Sequence, residues 1–504
     1  MIMKNNGPSF PLLLTFDDVV LLPGYSEVLP IQVDTKTVLS SQLHLNIPLI
    51  SAAMDTVTEY QTCIRMAQEG GLGIIHKNLS IEEQASHVKQ VKKFEAGIIF
   101  HPITISPDDT IGNVKRIMTE HHISGLPVTQ GEKLVGMITN RDLRFQTNPD
   151  QPVKSIMTRE LITAAEDVTL SKARDIMKKH RIEKLPLIDK NNKLCGLVTY
   201  KDIQNLERYP LAIKDQIGRL KVGAAIGAAP REIERAEAIV EGQVDVIAID
   251  TAHGHSKMVL DQVKAIKKKF PDIPLIAGNV ATAQATEALA QAGADIIKVG
   301  IGPGSICTTR VIAGVGVPQL SAIFECSEAA QKFHKTIIAD GGIRYSGDIV
   351  KALAAGASSV MIGSLFAGTD ESPGELVYYQ GRSYKTYRGM GSLEAMRKKT
   401  GDRYPNKYMK ITSLEADGPE PKLVPEGVEG RVPYVGSLSS VLLQLVGGLK
   451  SGMGYVGANN LKNLQEKSKF AQVSTHGMAE GHVHNIAITK ESPNYIIQTP
   501  TESR

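Results

Sequence analysis

LAQAGADIIKVG (residues 289–300) and LAAGASSVMIG (residues 353–363) are two copies of one helix-to-strand unit. In each copy a helix-like segment of small residues ends at a glycine, which favours the left-handed conformation that closes a helix. A short run of consecutive apolar residues follows, as is typical of a strand buried on both faces of a parallel sheet. The two copies therefore predict a fold in which helices and buried strands alternate.

Six further apolar runs have the same character, since each ends in small or polar residues and precedes a helix-like stretch. They are IPLISAAMD (47–55), GLGIIHK (71–77), LKVGAAIG (220–227), VDVIAID (244–250), IPLIAGNV (273–280) and TIIADGG (336–342). Strands that alternate with helices in this way predict an α/β fold of the (β/α)8 or TIM-barrel type, interrupted after its second strand. A doubly wound sheet is less favoured, because no strand is followed by GxGxxG and GMGSLE (389–394) lacks the third glycine.

The interruption contains an internal repeat, in which HHISGLPVTQGEKLVGMITNRDLRF (121–145) aligns with HRIEKLPLIDKNNKLCGLVTYKDIQN (180–205). The matched positions are Pro127 with Pro186, Gly136 with Gly196, Thr139 with Thr199 and Asp142 with Asp202. Each copy predicts a helix, a strand, a polar turn, a second strand and a helix opened by Thr-x-x-Asp. The repeat resembles a tandem pair of CBS modules (a Bateman domain) over residues 96–207, the first at about 96–152 and the second at about 153–207. The barrel domain then comprises residues 1–95 and 208–504.

The resemblance to CBS modules implies that the pair binds adenine or guanine nucleotides, with the Thr and Asp positions facing ribose and phosphate. Helix capping alone accounts for the same residues, because Thr at an N-cap and Asp three residues later satisfy backbone amides of the first turn. The two roles are compatible, and the sequence leaves both open.

Charge and composition narrow the class of protein. The 504 residues contain 57 lysines and arginines against 53 acidic residues, and no basic run concentrates the net charge of +4, so nothing requires nucleic acid as a partner. No apolar stretch approaches the ~20 residues that span a bilayer, so no membrane is expected. The four cysteines are far apart and show no CxxC or zinc-ligand spacing. We therefore expect a cytoplasmic protein in a reducing compartment.

The loops that follow the strands contain the candidate site residues, because barrel enzymes place their chemistry there and commonly bind phosphate after the seventh and eighth strands. Backbone amides near glycine can hold phosphate, and the candidates are Ser305, Gly342, Gly363 and Ser364. Asp340, at the end of the seventh predicted strand, suits ribose hydroxyls better than the phosphate anion. A tight turn with a helix cap nearby explains the Asp-Gly-Gly stretch at 340–342 equally well.

Cys307 is the candidate nucleophile. It lies on the predicted catalytic face, just before a helix N-terminus and three residues from Arg310, an environment that favours a thiolate. No histidine stands nearby in sequence to act as its base. Cys63, Cys195 and Cys326 occupy ordinary helix-like or strand-like contexts, where cysteine usually serves as a small buried apolar residue.

A series of motifs lies in order along nearly the whole chain. They are LTFDDVVLLPGYS (14–26), SAAMDTVTE (51–59), GIGPGSICTTR (300–310), ADGGIRYSGDIVKAL (339–353), YRGMGS (387–392), GDRY (401–404) and ESPNY (491–495). Together they resemble the inosine monophosphate (IMP) dehydrogenase family of the bacterial type. The resemblance implies oxidation of IMP to xanthosine monophosphate (XMP) with NAD as the cofactor, through addition of the Cys307 thiolate to C2 of the hypoxanthine ring.

The family's second step is hydrolysis of the resulting thioimidate under a mobile flap, which corresponds here to about residues 375–433. The resemblance assigns the general base to Arg403, with Tyr404 beside it. Arginine normally stays protonated, and Arg403 alone would be interpreted as a solvated or phosphate-binding charge. The resemblance also assigns Thr309 to orientation of the attacking water, although Thr309 equally suits a helix cap.

The remaining site residues follow from the same resemblance. Those assigned to the phosphate, ribose and base of IMP are Ser305, Asp340, Gly341, Gly342, Gly363, Ser364, Tyr387, Arg388, Gly389, Met390, Gly391 and Glu426. Those assigned to the nicotinamide ribose of NAD are Asp250 and the backbone of Gly300, Ile301 and Gly302. Asp250 alone would be interpreted as a strand-end cap.

The family also binds a potassium ion (K+) through main-chain carbonyls. The corresponding residues are Gly302, Gly304 and Cys307, with Glu480, Gly481 and His482 from a neighbouring subunit. A loop without bulky side chains can turn several carbonyl oxygens towards a hard cation. The resemblance further implies a homotetramer, and octamers joined through the CBS modules.

Two alternatives to the dehydrogenase are open. GMP reductase shares the barrel, the cysteine loop and the nucleotide site, but generally lacks the long flap with its Arg-Tyr pair and commonly lacks the CBS insertion. A nucleotide-sensing regulatory protein with an inactive barrel would be favoured by loss of Cys307 or Arg403. Both residues are present.

Overall fold

The computed structural model describes residues 10–94, 99–100, 102–121, 123–200, 203–204, 208–397, 424–490 and 492–495. The chain divides into two compact units. The first comprises Met1–Lys92, Leu211–Ile213 and Leu220–Arg504, and the second comprises Lys93–Pro210 and Lys214–Arg219. The predicted insertion, residues 96–207, lies inside the second unit.

The first unit is built on a closed barrel of parallel strands, as the apolar runs predict. Its strands are β1 (Leu49–Ser51), β2 (Leu72–Ile75), β3 (Gly223–Ile226), β4 (Val246–Asp250), β5 (Leu275–Val280), β6 (Ile296–Val299), β7 (Thr336–Asp340) and β8 (Ser359–Ile362). Each strand pairs with the next, β8 pairs with β1, and β2 pairs with β3 across the inserted segment. The prediction of a (β/α)8 barrel interrupted after its second strand is confirmed.

Each barrel strand is followed by a long helix. The helices are α1 (Tyr60–Gln68), α2 (Ile81–Lys93), α3 (Glu232–Glu241), α4 (Lys257–Lys269), α5 (Ala283–Ala292), α6 (Gln319–Gln331), α7 (Ser346–Ala354) and α8 (Leu438–Val456). The two copies that open the sequence analysis end alike. Gly293 after α5 and Gly356 after α7 both have φ of 110°, and the amides of Ala294 and Ala357 bond to carbonyls five residues back. Both are glycine-terminated Schellman ends, as the small-residue runs predict.

Burial explains why the strands are recognisable in the sequence. All residues of β1 to β6 and of β8 are buried, and only the two ends of β7 are partly exposed. Strands covered on both faces must be almost wholly apolar. A few polar side chains are buried at their carboxyl ends, among them Asp250, Asn279 and Lys298. Because such groups need partners, they point to the functional end of the barrel.

Smaller elements complete the first unit. A three-stranded antiparallel sheet contains Leu376–Tyr379, Arg382–Arg388 and Glu429–Pro433; Val19–Leu21 pairs with Phe470–Gln472, and Thr37–Val38 with His44–Leu45. The short helices are Phe16–Asp18, Pro30–Gln32, Thr309–Ile312, Ser364–Ala367, Leu393–Arg397, Leu461–Lys467 and Thr475–Glu480. Within the described ranges, no helix is long and apolar enough to cross a membrane.

The second unit shows its repeat in three dimensions. The hairpin Gly125–Gln130 with Lys133–Thr139 and the hairpin Lys184–Ile188 with Leu194–Thr199 share one register, in which Val128 faces Gly136 and Leu187 faces Gly196. Ala164–Ala165 and Ile99–Phe100 extend the second hairpin. The helices are Ile111–Glu120, Asn140–Leu143, Val153–Ser155 and Leu170–His180, and each copy has its own small apolar core.

The Thr-x-x-Asp signal of the first copy caps a helix. Asp142 Oδ2 accepts bonds from the Thr139 amide at 2.7 Å and from the Thr139 hydroxyl at 2.8 Å. In the second copy, Asp202 lies outside the described residues. The CBS assignment and its nucleotides remain predictions.

Candidate active site

A cavity that is open to solvent lies at the carboxyl ends of the barrel strands. The predicted residues that line it are Asp250, Gly300, Gly302, Gly304, Cys307, Asp340, Gly341, Gly363, Tyr387, Gly389, Met390, Gly391 and Glu426. The loops after β4, β6, β7 and β8 therefore converge with the strand Arg382–Arg388, as expected of a barrel active site.

The loop after β6 holds Cys307 at the wall of this cavity. The Cys307 Sγ lies 3.2 Å from Thr309 Oγ1, and the Cys307 amide donates to the carbonyl of Gly304 at 3.1 Å. The loop also pairs with residues 426–428, because the Thr308 amide donates to the Glu426 carbonyl and the Val428 amide to the Ile306 carbonyl, both at 3.0 Å. The thiol and Glu426 are therefore held side by side by backbone hydrogen bonds.

Arg310 braces the same loop. Its guanidinium donates to the carbonyls of Ile301 and Val317, and burial lowers its pKa from the ordinary value. A Cβ atom at Gly302, which has φ of 83°, would lie 2.5 Å from the Arg310 Cγ. Glycine is required at position 302 both for the backbone conformation and for the space that the arginine occupies.

Tyr387 brings together residues predicted for phosphate. A Cβ atom added at Gly363 would lie 2.8 Å from the hydroxyl oxygen of Tyr387. The same hydroxyl contacts the Met54 Sδ at 3.9 Å. Burial raises the pKa of Tyr387 to about 12, although hydrogen bonding with Ser305 opposes this shift. The phenol therefore stays a neutral hydrogen-bond donor across the physiological range.

Five other predicted residues lie beside the cavity rather than among its lining: Ile301, Ser305, Thr309, Gly342 and Ser364. Thr309 begins the short helix after the loop, and Ser364 begins the helix Ser364–Ala367. Thr309 reaches the site through its contact with the Cys307 sulfur.

Arg388 is predicted to contact substrate, but in the structure its guanidinium forms an ion pair. Its Nη2 lies 2.6 Å from Asp55 Oδ2, its Nε lies 3.0 Å from Asp55 Oδ1, and its Nη1 lies 3.3 Å from Glu394 Oε1. Asp55 also accepts a bond from Asn78, whose side-chain amide is 4.0 Å from the Met390 Sδ. Arg388 thus ties the loop after β1 to the strand that precedes Gly389 and Met390.

Sequence reasoning missed Lys298 and Asn279, which both line the cavity. The Lys298 Nζ lies 3.0 Å from Asp250 Oδ1 and 2.8 Å from Asp340 Oδ2, and it also bonds to Asn279 Oδ1. The available signal was a lysine and an asparagine inside otherwise apolar strands, since a buried polar group implies a partner.

The remaining predicted residues lie elsewhere. Glu480, Gly481 and His482 are at the end of the helix Thr475–Glu480, where the His482 ring contacts the Tyr495 hydroxyl at 3.1 Å. Arg403 and Tyr404 lie outside the described residues. No cluster of three or more His, Cys, Asp or Glu side chains suited to a metal ion occurs in the described part of the chain.

A thiol that lines a cavity at the carboxyl face of a parallel barrel is the arrangement expected of a barrel enzyme with a cysteine in its active site. Residues 13–484 match the family described as the IMP dehydrogenase / GMP reductase domain. The chain belongs to this family.

Two curated relatives are similar in sequence to this chain over almost its full length. The chain is 58% identical over 487 residues to the inosine-5'-monophosphate dehydrogenase of Aquifex aeolicus, covering 96% of this chain and 97% of that protein. It is 54% identical over 488 residues to the enzyme of the same name from Bacillus subtilis, covering 96% of this chain and 98% of that protein.

A solved structure of a GMP reductase is also similar. It is a cysteine-to-alanine variant from Trypanosoma brucei in complex with guanosine 5'-monophosphate, with a TM-score of 0.85 and 38% sequence identity. The match covers 95% of this chain and 99% of that one. Because that coverage includes the inserted unit, the insertion does not by itself separate dehydrogenase from reductase.

Proposed function

We propose that this protein oxidises IMP to XMP with NAD, the committing step towards guanine nucleotides. The observation that carries the proposal is the position of Cys307, which lines the same cavity as Asp340, Tyr387 and Glu426. Identities of 54–58% to proteins named inosine-5'-monophosphate dehydrogenase support this reaction for the chain.

The first half-reaction centres on the thiol. The Cys307 thiolate adds to C2 of the hypoxanthine ring, which turns a flat aromatic carbon into a hydride donor. NAD supplies the hydride acceptor when bound. The departing hydride takes the C2–H electron pair, so the adduct becomes a thioimidate linked to Cys307. Asp340 binds the IMP ribose, Asp250 binds the nicotinamide ribose, and Ser305, Gly363 and Tyr387 hold the phosphate.

The second half-reaction is hydrolysis. Water adds to C2, the C–S bond breaks, and XMP leaves with the thiol restored. Thr309, whose hydroxyl lies 3.2 Å from the Cys307 sulfur, orients this water. Arg403 takes its proton, with Tyr404 beside it, under the flap at about 375–433. In an Arg403→Ala variant we expect an initial burst of NADH followed by a stall.

Potassium fits the donors that this chain offers. The loop at 302–307 presents main-chain carbonyls around two glycines and a proline, and the end of the helix Thr475–Glu480 presents further carbonyls at the negative pole of a helix. Oxygen ligands of this kind suit a hard cation. The carbonyls of Gly302, Gly304 and Cys307 would hold the ion with those of residues 480–482 from a neighbouring copy, in a homotetramer.

The inserted unit is proposed to be a CBS pair that binds adenine or guanine nucleotides and joins tetramers into octamers. Its support is the shared register of the two hairpins. A cytoplasmic location belongs to the same proposal. Sedimentation and rate measurements with and without ATP or GTP test the regulatory part, and no change in either would refute it.

GMP reductase is the second candidate, favoured by the similarity to the Trypanosoma brucei structure. NADH absorbance after mixing the protein with IMP and NAD, in potassium buffer and in sodium buffer, separates the two. NADH production that needs potassium supports the dehydrogenase and its carbonyl site. Absence of NADH, with oxidation of NADPH when GMP is supplied instead, would assign the reductase.

A further inference from the structure

One buried side chain contacts both carboxylates assigned to ribose. Lys298, the third residue of β6, is only 2% exposed. Its ammonium lies 3.0 Å from Asp250 Oδ1 at the end of β4 and 2.8 Å from Asp340 Oδ2 at the end of β7. Asp250 is assigned to NAD and Asp340 to IMP, so a single cation stands between the binding groups of two different ligands.

Asn279 at the end of β5 joins the same arrangement. Its Nδ2 donates to Asp340 Oδ2 at 2.9 Å and to the Gly300 carbonyl at 2.8 Å, while its Oδ1 accepts from Lys298. Both bonds to Asp340 thus fall on Oδ2. Lys298 and Asn279 therefore fix the orientation of the Asp340 carboxylate. Its other oxygen, Oδ1, is the acceptor that we assign to the ribose hydroxyls.

We propose that Lys298 is a positioning residue that holds the ribose-binding carboxylates of both nucleotide sites in one geometry. The inference rests on the proposed function, because that function assigns Asp250 to NAD and Asp340 to IMP. Charge-assisted hydrogen bonds in a water-poor site are strong and directional. Loss of the ammonium therefore lets both carboxylates turn, and both nucleotides bind more weakly.

The chain offers a matched control, a second buried lysine whose partner lies at the opposite end of β4 from Asp250. This lysine, Lys92, is 4% exposed, and its Nζ lies 2.7 Å from Oδ2 of Asp245, which directly precedes β4. This pair is at the amino end of the barrel strands, away from the cavity lining. A lysine that merely stabilises the barrel would give the same phenotype at either position.

The experiment compares Lys298→Met, Lys298→Gln, Lys298→Arg and Lys92→Met with the unaltered protein. NADH absorbance gives kcat and the KM of each nucleotide at saturating levels of the other. We expect Lys298→Met and Lys298→Gln to raise both KM values by about 10- to 100-fold. Lys298→Arg, which keeps the charge, should stay within about threefold for both. Lys92→Met should leave both KM values unchanged while lowering the thermal unfolding midpoint.

A rise in only one KM, or in neither, would overturn the proposal, as would equal damage by Lys298→Gln and Lys298→Arg. If Lys298→Met does not fold, the more conservative Gln variant decides. Failure of the proposed function is visible separately, because the unaltered protein would then form no NADH. Calorimetric titration of IMP alone and NAD alone into the same variants would in that case test the positioning role directly.

Discussion

A buried lysine pairs with an aspartate at each end of β4, but the two arrangements differ. At the amino end, Lys92 donates to both oxygens of Asp245, at 2.9 and 2.7 Å, and to the Leu220 carbonyl at 3.2 Å. The Val222 amide donates to Asp245 as well, at 2.8 Å. At the carboxyl end, Lys298 is divided between Asp250 and Asp340, and all three line an open cavity.

The difference shows how one fold separates stability from chemistry. At the amino end, Lys92 and Asp245 bond to each other and to neighbouring backbone groups, so their interactions stabilise the barrel itself. The carboxyl-end group has the same residue types, but its carboxylates face a cavity where a ligand can compete for their oxygens. Changes at the first end should act on stability, and changes at the second on nucleotide binding and turnover.

The largest effect is expected from Cys307→Ala at the carboxyl end. Removal of the proposed nucleophile should lower NADH formation by at least about a thousandfold, because the proposed covalent adduct forms on this sulfur. IMP binding should remain measurable by calorimetry, since the cavity is otherwise intact.

Cys326→Ala is the matched control for Cys307. Cys326 is fully buried in α6, and burial raises the pKa of its thiol to about 12, so it cannot supply a thiolate near neutral pH. This variant should keep its turnover. Comparable loss of activity in both variants would contradict the division between the structural and the chemical regions.

Lys92→Met should have the second largest effect, on stability. Removing one partner of a buried ion pair leaves Asp245 uncompensated and should lower the free energy of unfolding by about 3 kcal/mol. Urea unfolding monitored by circular dichroism measures the change, and Lys92→Arg serves as the charge-keeping control. A Lys92→Met protein with the original stability would show that the amino end is not held by this pair.

Asp55→Asn should weaken IMP binding by about tenfold, because it removes the carboxylate that orients Arg388 and, through it, Gly389 and Met390. The KM for NAD should change little. Glu394→Gln is the control, since Glu394 contacts the same arginine from a side chain that is 51% exposed, where an ion pair contributes little. Steady-state kinetics with equal effects in both variants would refute the positioning role of Asp55.

Tyr387→Phe should have the smallest effect, a rise of a few-fold in the KM for IMP. Burial disfavours the phenolate and raises the pKa of Tyr387 to about 12, so the hydroxyl remains protonated at both pH 7 and pH 10. The ratio of the variant's KM to that of the unaltered protein should therefore be the same at the two pH values. A ratio that falls towards one at pH 10 would show that the phenol ionises there.

The barrel was predictable from the sequence because its signals are local. Strands buried on both faces must be continuously apolar, and the ends of α5 and α7 are marked by glycines that adopt positive φ. Cys307 and Asp340 could be placed at the site because strand ends of a parallel barrel meet on one face.

The pairing of the polar residues could not be predicted in the same way. Lys298 contacts partners 42 and 48 residues away, and Arg388 contacts Asp55 across 333 residues, so no local pattern connects them. The motif containing Arg388 predicted a ligand contact, but the motif does not reveal that the Arg388 guanidinium already donates hydrogen bonds to the Asp55 carboxylate. Such partners become visible only when the strands are assembled.

The insertion between β2 and β3 has a consequence for biosynthesis. β2 cannot pair with β3, and β1 cannot pair with β8, until those later strands have been synthesised. The barrel therefore cannot close until Ile362 has left the ribosome. At about 5–20 residues per second, the delay between emergence of β3 and of β8 is on the order of 10 s. During that interval β2 already pairs with β1 and β3, but the other edge of β1 stays unpaired until β8 emerges, whereas every hairpin of the inserted unit already has its partner. Chaperone demand during translation should therefore be set by the barrel and not by the segment that interrupts it.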